Sequence, residues 1–368
     1  MKIYAVGGCV RDELLGLPSA DRDWVVVGAD PAQMVALGYR AVGADFPVFL
    51  HPETHEEYAL ARTERKTAPG YKGFRFHASP DVSLEEDLRR RDLTINAIAR
   101  DEDGTLVDPF GGAEDLRRGI LRHAGEAFAE DPVRILRVAR FAARFGFAVA
   151  AETMELMRGM VRSGEVDHLV PERVWQEIAR GLQEPQPGRM IAVLRECGAL
   201  ARTLPEVDAL AERDDGALLA ARLGASLAYG LPVRFACLTI GLPPEAVAAL
   251  CERIGAPGDL RDLAVLAARE RAAVEGAAAL GAQALLALLE RTDAFRRPER
   301  LERLMDVCEA DLRSRGLARK VPRDRLVAAR EAARGIDAAA IARAHPQSVP
   351  AAIHDARAAR IAESLAGG

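Results

Sequence analysis

The sequence predicts an α+β fold, in which a small mixed β-sheet with flanking helices precedes an all-helical remainder. Short apolar runs bounded by glycine, proline and aspartate, which are typical of strands, occur only within the first 122 residues. Beyond them the strand pattern disappears, and residues 207–368 are rich in Ala, Leu and Arg at helical spacing. We therefore predict a head over residues 1–122, a helical neck over 123–206 and a helical body and tail over 207–368.

The composition is that of a globular protein with no membrane association. Of the 368 residues, 49% are hydrophobic and 29% are charged, and no apolar run approaches the ~20 residues of a membrane span. The N-terminus leads directly into a predicted strand and shows no signal peptide. The five cysteines are scattered and form neither a disulfide framework nor a zinc pattern, which favours the cytoplasm. The net charge of −5 only slightly disfavours a polyanion ligand, because the arginines are clustered.

The N-terminus combines the elements of a phosphate-binding turn. Residues 2–6 read as a strand, Gly7 and Gly8 permit a tight turn, and residues 9–15 read as a helix. The backbone N–H groups of such a turn approach a ligand closely, and the helix presents its positive end to it. Arg11, one turn into the helix, adds a donor for a charge-assisted hydrogen bond. Gly8 and Arg11 are therefore predicted to hold a triphosphate.

Two aspartates open the next predicted strand. Residues two apart in an extended segment share a face, so Asp21 and Asp23 are expected to point the same way at the mouth of an apolar run. Adjacent carboxylates favour a cation, and hard oxygen ligands suit Mg²⁺. A strand, a glycine turn, a helix and a second strand opening with Asp-x-Asp together indicate a nucleotidyltransferase head. We predict that Asp21 and Asp23 are catalytic and bind the metal.

The rest of the head is predicted to alternate short elements. Residues 46–51 and 57–62 read as a hairpin, and Glu57 is expected on the neighbour of the aspartate strand, either as a further carboxylate near the metal or as a surface charge. Residues 63–80 read as a mobile basic loop, either a surface loop or a flap against primer or nucleotide. Helices are expected over 31–37, 84–91 and 113–118, and extended pieces over 106–107 and 120–123.

A helix beginning near residue 131 carries a pair of residues suited to selecting a base. Acid followed by proline is a helix start signal, and the arginines that follow fall on roughly half of the helix circumference. Asp131 accepts hydrogen bonds and Arg134, one turn later, donates them. Cytosine and adenine match this pair, whereas guanine and uracil present the reversed pattern and leave desolvated groups unmatched. The pair is predicted to select C and A.

These motifs resemble those of the class II tRNA nucleotidyltransferase and poly(A) polymerase superfamily. The head pattern is Gly7-Gly8-x-Val10-Arg11-Asp12 with Asp21-x-Asp23, and the later motifs, Arg90-Arg91-Asp92 and Glu130-Asp131-x-x-Arg134, are those of bacterial CCA-adding enzymes. The resemblance implies that Arg91 contacts the phosphates, that Asp92 lies near the sugar and that Asn96 braces this segment. It further implies nucleotide contacts for Arg137 and Arg140, and a brace for the base-reading helix at Glu172 and Arg173.

The resemblance implies template-independent addition of C, C and A to the tRNA 3′ end, with CTP, ATP and Mg²⁺. The rival functions are a poly(A) polymerase with the same head, an enzyme adding only CC or only A, and an inactive tRNA-binding factor. Long relatives carry a metal-dependent HD phosphohydrolase domain, which needs several histidines. No histidine occurs between His168 and His345 in this chain, so no phosphohydrolase activity is expected.

Overall fold

All strands within the described residues lie in the first part of the chain. The computed structural model describes residues 1–19, 22–42, 48–66, 74–213 and 216–366. It divides into two compact units, Met1–Thr203 and Leu204–Gly368. The first unit contains sheet and helices, and the described part of the second contains helices without strands. The predicted α+β class, with a small mixed sheet followed by a helical region, is confirmed.

The described residues include a seven-stranded sheet. Its strands are β1 (Lys2–Val6), β2 (Asp23–Val27), β3 (Arg40–Val42), β4 (Val48–Leu50), β5 (Glu57–Leu60), β8 (Ala99–Arg100) and β9 (Leu106–Val107). The strand order is β3-β4-β5-β2-β1-β8-β9, and β2 pairs antiparallel with β1 and parallel with β5, so the sheet is mixed. The predicted 46–62 hairpin corresponds to β4 and β5, and Glu57 lies in register with Asp23 of β2.

The apolar run of β2 is explained by burial on both faces of the sheet. Val25 packs in a cluster with Val6 and Leu88, whereas its neighbour Val26 packs in a second cluster with Phe49. Successive side chains of a strand point to opposite faces, so a strand covered on both sides needs apolar residues at every position. Asp23 is therefore anchored at the start of a strand that is packed on both faces of the sheet.

Two parts of the sequence prediction are wrong. Within the predicted basic loop 63–80, β6 (Arg62–Lys66) pairs antiparallel with β7 (Phe74–Ala78), because cross-strand pairing does not require an apolar sequence. Residues 67–73, at the centre of that segment, lie outside the described residues. Beyond residue 123, where no strand was expected, β11 (Ala148–Val149) pairs in parallel with β10 (Ile120–Leu121). A two-residue pairing is too short to leave a period in the sequence.

Nine α-helices of the first unit lie within the described residues. They are α1 (Gly8–Leu14), α2 (Pro31–Ala36), α3 (Leu84–Arg89), α4 (Gly112–Arg118), α5 (Val133–Phe145), α6 (Ala151–Arg162), α7 (Pro171–Gln183), α8 (Pro187–Glu196) and α9 (Ala199–Thr203). Helix α5 packs against α7 and α8, so one side of it is buried.

The described second unit consists of α10 (Pro205–Arg213), α11 (Ala217–Ala225), α12 (Leu231–Thr239), α13 (Pro244–Ile254), α14 (Gly258–Glu275), α15 (Ala282–Arg291), α16 (Pro298–Ser314), α17 (Arg323–Arg334), α18 (Ala338–Ala344) and α19 (Val349–Ala366). Among the described residues of the whole chain, no helix combines the length and apolar character needed to cross a bilayer.

Candidate active site

The glycine turn forms one wall of a cavity. Gly7 has φ +74° and its N–H donates to the carbonyl of Ile98 at 3.2 Å, and helix α1 begins immediately afterwards. A Cβ at Gly7 would stand 2.7 Å from Nη1 of Arg91. The turn therefore favours glycine chiefly for its backbone conformation, since the Arg91 guanidinium is the end of a flexible side chain and can shift.

This cavity of about 500 Å³ gathers residues from separate parts of the chain. Its lining residues are Gly7, Gly8, Arg11, Asp23, Arg62, Arg90, Arg91, Asp92, Asn96, Asp131, Val133, Arg134, Arg137, Phe141 and Arg173. Seven are arginines and three are aspartates, so the described lining carries excess positive charge, which suits a polyanionic ligand.

Arg11 is held rigidly at the edge of the turn and is only 4% exposed. Its Nε donates to Asp12 Oδ1 at 2.8 Å and its Nη1 donates to Asn96 Oδ1 at 2.6 Å. The guanidinium also lies over the rings of Phe141 and Phe145, at 5.3 and 5.1 Å from their centroids. Burial lowers the pKa of Arg11 below its ordinary value, against the opposing effect of Asp12. The group is thus a pre-oriented donor at the cavity wall.

Asp92 connects this region to helix α5. Its Oδ1 accepts from the N–H of Leu93 at 2.9 Å and from Asn96 Nδ2 at 2.8 Å, and its Oδ2 accepts from Arg137 Nε at 2.7 Å. Burial alone raises the pKa of this carboxyl, but Arg137 and the Asn96 hydrogen bond outweigh it and lower the pKa to about 2. Asp92 is therefore a fixed anion, and Asn96 braces both Arg11 and Asp92.

The predicted base-reading residues both line the cavity, and each contacts a further part of the chain. Asp131 is gripped by Arg173 of α7, with Nη1 to Oδ1 at 3.1 Å and Nη2 to Oδ2 at 2.7 Å. Arg134 Nη1 donates to the carbonyl of Ala127 at 3.0 Å. Each member is thus held by its own partner. Arg173 occupies the place of the implied brace, whereas Glu172 is exposed and does not line the cavity.

The carboxylates expected at the metal are only partly described. Asp23 lies at the start of β2, is exposed and lines the cavity, and its cross-strand partner Val6 directly precedes the glycine turn. Its carboxylate oxygens are hard donors of the kind that Mg²⁺ prefers, so the residue fits a divalent cation. Asp21 lies outside the described residues. Glu57 is the register neighbour of Asp23 but is exposed and absent from the cavity lining.

Arg140 does not reach this cavity. It is 8% exposed, and its Nε donates to Glu177 Oε2 of α7 at 2.6 Å. The helical projection of α5 placed Arg140 with the other arginines, but the packing of α7 covers its end of that face. Its predicted nucleotide contact stays a prediction that this geometry does not favour.

Sequence reasoning missed Asp87, which is 1% exposed beneath the arginines that precede Asp92. Arg90 Nε donates to its Oδ1 and Arg91 Nη2 to its Oδ2, both at 3.3 Å. Burial raises the pKa of Asp87, but Arg91 and Arg90 outweigh it and the net shift is downward. The signal was present in the sequence, because an acid three and four residues before two arginines on a helix forms such pairs.

Comparisons with known proteins show the family of the chain. The family model of the poly A polymerase head domain matches residues 3–122, and that of the probable RNA and SrmB-binding site of polymerase A matches residues 146–210. The multifunctional CCA protein of Burkholderia multivorans is 54% identical over 409 positions, which cover 99% of each chain. The chain belongs to the bacterial CCA-adding enzyme family. The resemblance read from its motifs is thereby confirmed.

Solved structures of the family share the fold. The Bacillus stearothermophilus CCA-adding enzyme in complex with CTP is 28% identical, with a TM-score of 0.56 over 85% of this chain and 73% of that one. The Thermotoga maritima CCA-adding enzyme complexed with tRNA is 21% identical, with a TM-score of 0.64 over 100% and 91%. The head match ends at residue 122, whereas the cavity also takes residues from α5 and α7. In this family member the candidate site is thus assembled from both sides of that boundary.

Proposed function

We propose that this family member adds C, C and A to the 3′ end of tRNA from CTP and ATP, without a nucleic-acid template. The observation that carries the proposal is a cavity whose lining includes the glycine turn and Arg11 together with Asp131 and Arg134. A nucleoside triphosphate has a polyanionic end and a hydrogen-bonding base, and these lining residues offer the matching chemistry. Related CCA-adding enzymes have been solved with CTP and with tRNA.

The reaction is an in-line attack by the 3′-oxygen of the RNA on the α-phosphate, with pyrophosphate leaving. Gly8, Arg11 and Arg91 bind and orient the triphosphate. Asp21 and Asp23 would hold Mg²⁺, which lowers the pKa of the attacking hydroxyl and stabilises the charge on the leaving pyrophosphate. Asp92 keeps Arg137 oriented at the cavity wall, since its carboxylate accepts from Arg137 Nε.

Base choice follows from the hydrogen bonds that Asp131 can accept and Arg134 can donate at the cavity wall. A carboxylate has about four lone-pair sites, so Asp131 can accept from a base amino group while both of its oxygens accept from Arg173. Arg134 lines the cavity with a guanidinium, which is a donor-only group suited to a base acceptor, and its Nη1 also donates to the carbonyl of Ala127. Guanine or uracil would face these groups with donor against donor and acceptor against acceptor, which is costly in a desolvated site.

The test uses a tRNA transcript that ends before CCA, with Mg²⁺ and CTP alone, ATP alone, or both. Two additions with CTP and a third only when ATP is present would support the proposal. Long A tails with ATP alone would instead establish a poly(A) polymerase, the class of enzyme after which the matching head domain is named. Addition of only CC, or of A only to a transcript already ending in CC, would identify a partial enzyme.

Single substitutions separate catalysis from binding. Asp23→Ala and Asp21→Ala should abolish incorporation and leave tRNA affinity nearly unchanged, because the aspartates serve the reaction and not RNA capture. Unchanged incorporation would contradict the metal role, and full activity without any divalent cation would contradict the need for Mg²⁺.

Arg134→Ala should raise misincorporation of G and U relative to C and A, and an unchanged preference would contradict the base-reading role.

The absence of phosphohydrolase activity is also part of the proposal, although the relatives are named multifunctional. The alignment with the Burkholderia multivorans relative has 409 positions and this chain has 368 residues, so at least 41 positions (409 less 368) have no counterpart here. The stretch between His168 and His345 contains no histidine to bind a metal. Assays for phosphatase and phosphodiesterase activity with added divalent metals should give no turnover, and metal-dependent turnover would refute this part.

We assign tRNA binding to the helical body and tail, residues 207–368. The partly exposed arginines Arg271, Arg315 and Arg319 gather around Glu275 and Asp311, so this cluster keeps an excess of positive charge. An RNA backbone is recognised by such charge, with an affinity that falls as salt rises. Arg319→Gln should weaken tRNA binding and reduce the salt dependence of that binding.

The expected compartment is the cytoplasm, since the five cysteines are unpaired and buried.

A further inference from the structure

Helix α5 is tied directly to the helix that follows the glycine turn. Arg144, near the C-terminal end of α5, donates through Nη2 to Asp12 Oδ2 of α1 at 3.0 Å. The Asp12 side chain is 10% exposed and that of Arg144 is 31% exposed, so the pair is partly shielded from water. An ion pair of this kind is stronger and more directional than a fully exposed one.

Asp12 serves two arginines at once. Its Oδ1 accepts from Nε of Arg11, and Nη2 of Arg11 lies 2.8 Å from the same oxygen. Its Oδ2 accepts from Arg144. One carboxylate therefore fixes the guanidinium proposed to hold the triphosphate and, through its other oxygen, the far end of α5.

Aromatic rings complete this contact. Phe141 and Phe145 of α5 stack with their centroids 5.9 Å apart, and the guanidiniums of Arg11 and Arg144 lie over Phe145 at 5.1 and 4.9 Å. The charged groups are thus laid on an apolar surface that limits their motion and their access to water.

The same helix carries the base-reading residue at its other end. Arg134 lies ten residues before Arg144, a separation of about 15 Å along an α-helix. Because a helix moves as a rigid rod, a change of angle at its Arg144 end displaces Arg134 relative to the glycine turn. Discrimination between bases requires the distance from the triphosphate to the base-reading groups to be fixed, since a misplacement of about 1 Å alone can cost about a hundredfold in rate.

We propose that Asp12 and Arg144 are positioning residues for base selection: their ion pair sets the angle of α5, and so the place of Arg134 and Asp131, relative to the bound triphosphate. This role deepens the proposed function and depends on it. It differs from the role of Arg11, which contacts the triphosphate itself, because Arg144 is absent from the cavity lining.

The experiment measures single-nucleotide incorporation on tRNA transcripts ending before CCA and after CC, with each of the four nucleoside triphosphates. Arg144→Gln should lower the preference for C over U and for A over G by about tenfold, the size expected for one charge-assisted hydrogen bond. Arg144→Lys keeps the charge without the planar fork and should restore part of the preference. Arg158→Gln is the control: its pair with Glu196 is more exposed than that of Arg144 with Asp12, but it also links two helices, and neither residue belongs to α5.

The outcomes separate the alternatives. A fall in kcat/KM that is equal for all four nucleotides would assign the pair to general stability and overturn the proposal, as would an Arg144→Gln enzyme with wild-type preference. Asp12→Asn removes the other charge of the ion pair. The double variant with Asp12→Asn and Arg144→Gln should lose no more base preference than the single variants do. Thermal unfolding of every variant shows whether it is folded. If the Arg144→Gln protein is not folded, the Arg144→Lys protein is used in its place. A wild-type protein that adds neither C nor A would refute the proposed function instead.

Discussion

At the scale of single residues, Asp92 shows how burial and pairing set a charge. Its pKa of about 2 lies below the ordinary 3.8, because Arg137 and Asn96 outweigh the penalty of burial. A carboxyl with a lowered pKa in the folded state stabilises the protein above its ordinary pKa, and the stabilisation is lost as the pH falls from 3.8 towards 2. The contribution of this group is on the order of 2 kcal/mol.

The lowered pKa of Asp92 gives a prediction for the stability of Asp92→Asn. The variant should have a lower free energy of unfolding than the wild type at pH 7, because Arg137 loses its charged partner. The difference should shrink by about 2 kcal/mol as the pH falls from 5 to 2, since only the wild type has a carboxyl to protonate. Urea unfolding of both proteins across this pH range measures it, and parallel curves would contradict the lowered pKa.

The two glycines of the turn should respond differently to the same change. Gly7 has φ +74° and an added Cβ would stand 2.7 Å from Arg91 Nη1, whereas at Gly8 the nearest atom, Arg11 Nη2, is 3.6 Å away. Gly7→Ala should therefore lower the free energy of unfolding by about 1–2 kcal/mol. Gly8→Ala should leave it nearly unchanged. Equal effects in urea unfolding would show that the strain at Gly7 is not what selects glycine there.

At the scale of elements, close packing makes one helical glycine essential and leaves another replaceable. A Cβ at Gly112, the first residue of α4, would lie 2.2 Å from the carbonyl oxygen of Thr94, and backbone cannot move aside. At Gly224 in α11, no atom lies within 4 Å of the added carbon. One glycine therefore joins α4 to the turn that carries Asn96, and the other has no such contact.

We predict that Gly112→Ala lowers the free energy of unfolding by more than about 2 kcal/mol, the usual cost of overpacking against fixed atoms. Gly224→Ala should raise it by about 0.5–1 kcal/mol, because alanine is the better helix former. Chemical unfolding of the two variants measures both effects. A stable Gly112→Ala protein would mean that α4 can shift away from Thr94.

At the scale of the whole molecule, the second unit carries a charge in its core. Asp311 is 0% exposed and accepts from Arg222, itself 2% exposed, at 2.6 Å, while Arg315 Nη2 lies 2.9 Å from its other oxygen. A buried pair of this kind is weak evidence for net stability, but breaking it leaves a charge without compensation. It constrains how α11 and α16 pack together.

Asp311→Ala should therefore destabilise the protein by about 3–5 kcal/mol, because Arg222 would remain buried without its carboxylate. Glu363→Gln is the control, since the pair of Glu363 with Arg360 is more than half exposed on both sides and exposed pairs contribute less than about 1 kcal/mol. Calorimetry of the two variants measures the difference. Similar melting temperatures would show that Asp311 is not needed to hold these helices.

Much of the site was predictable because it depends on neighbours in the chain. The strand, the two glycines and the helix with Arg11 are consecutive, so local backbone preferences place them together. The apolar run of β2 likewise indicated a covered strand leading from Asp23. The hairpin of β6 and β7 was not predictable in this way. Its basic sequence lacks the usual strand pattern, and its strand conformation depends on the pairing of β6 with β7.

Residue types and local spacing were enough to predict the fold class, the family and the chemical types of the site residues. Which charges from distant segments meet follows from the tertiary structure. Asp131 pairs with Arg173, 42 residues away, and Arg140 is covered by Glu177 of the same helix α7. Each pairing depends on how α7 packs against the start and the middle of α5. Packing between distant segments leaves no period in the sequence, so only the folded chain reveals it.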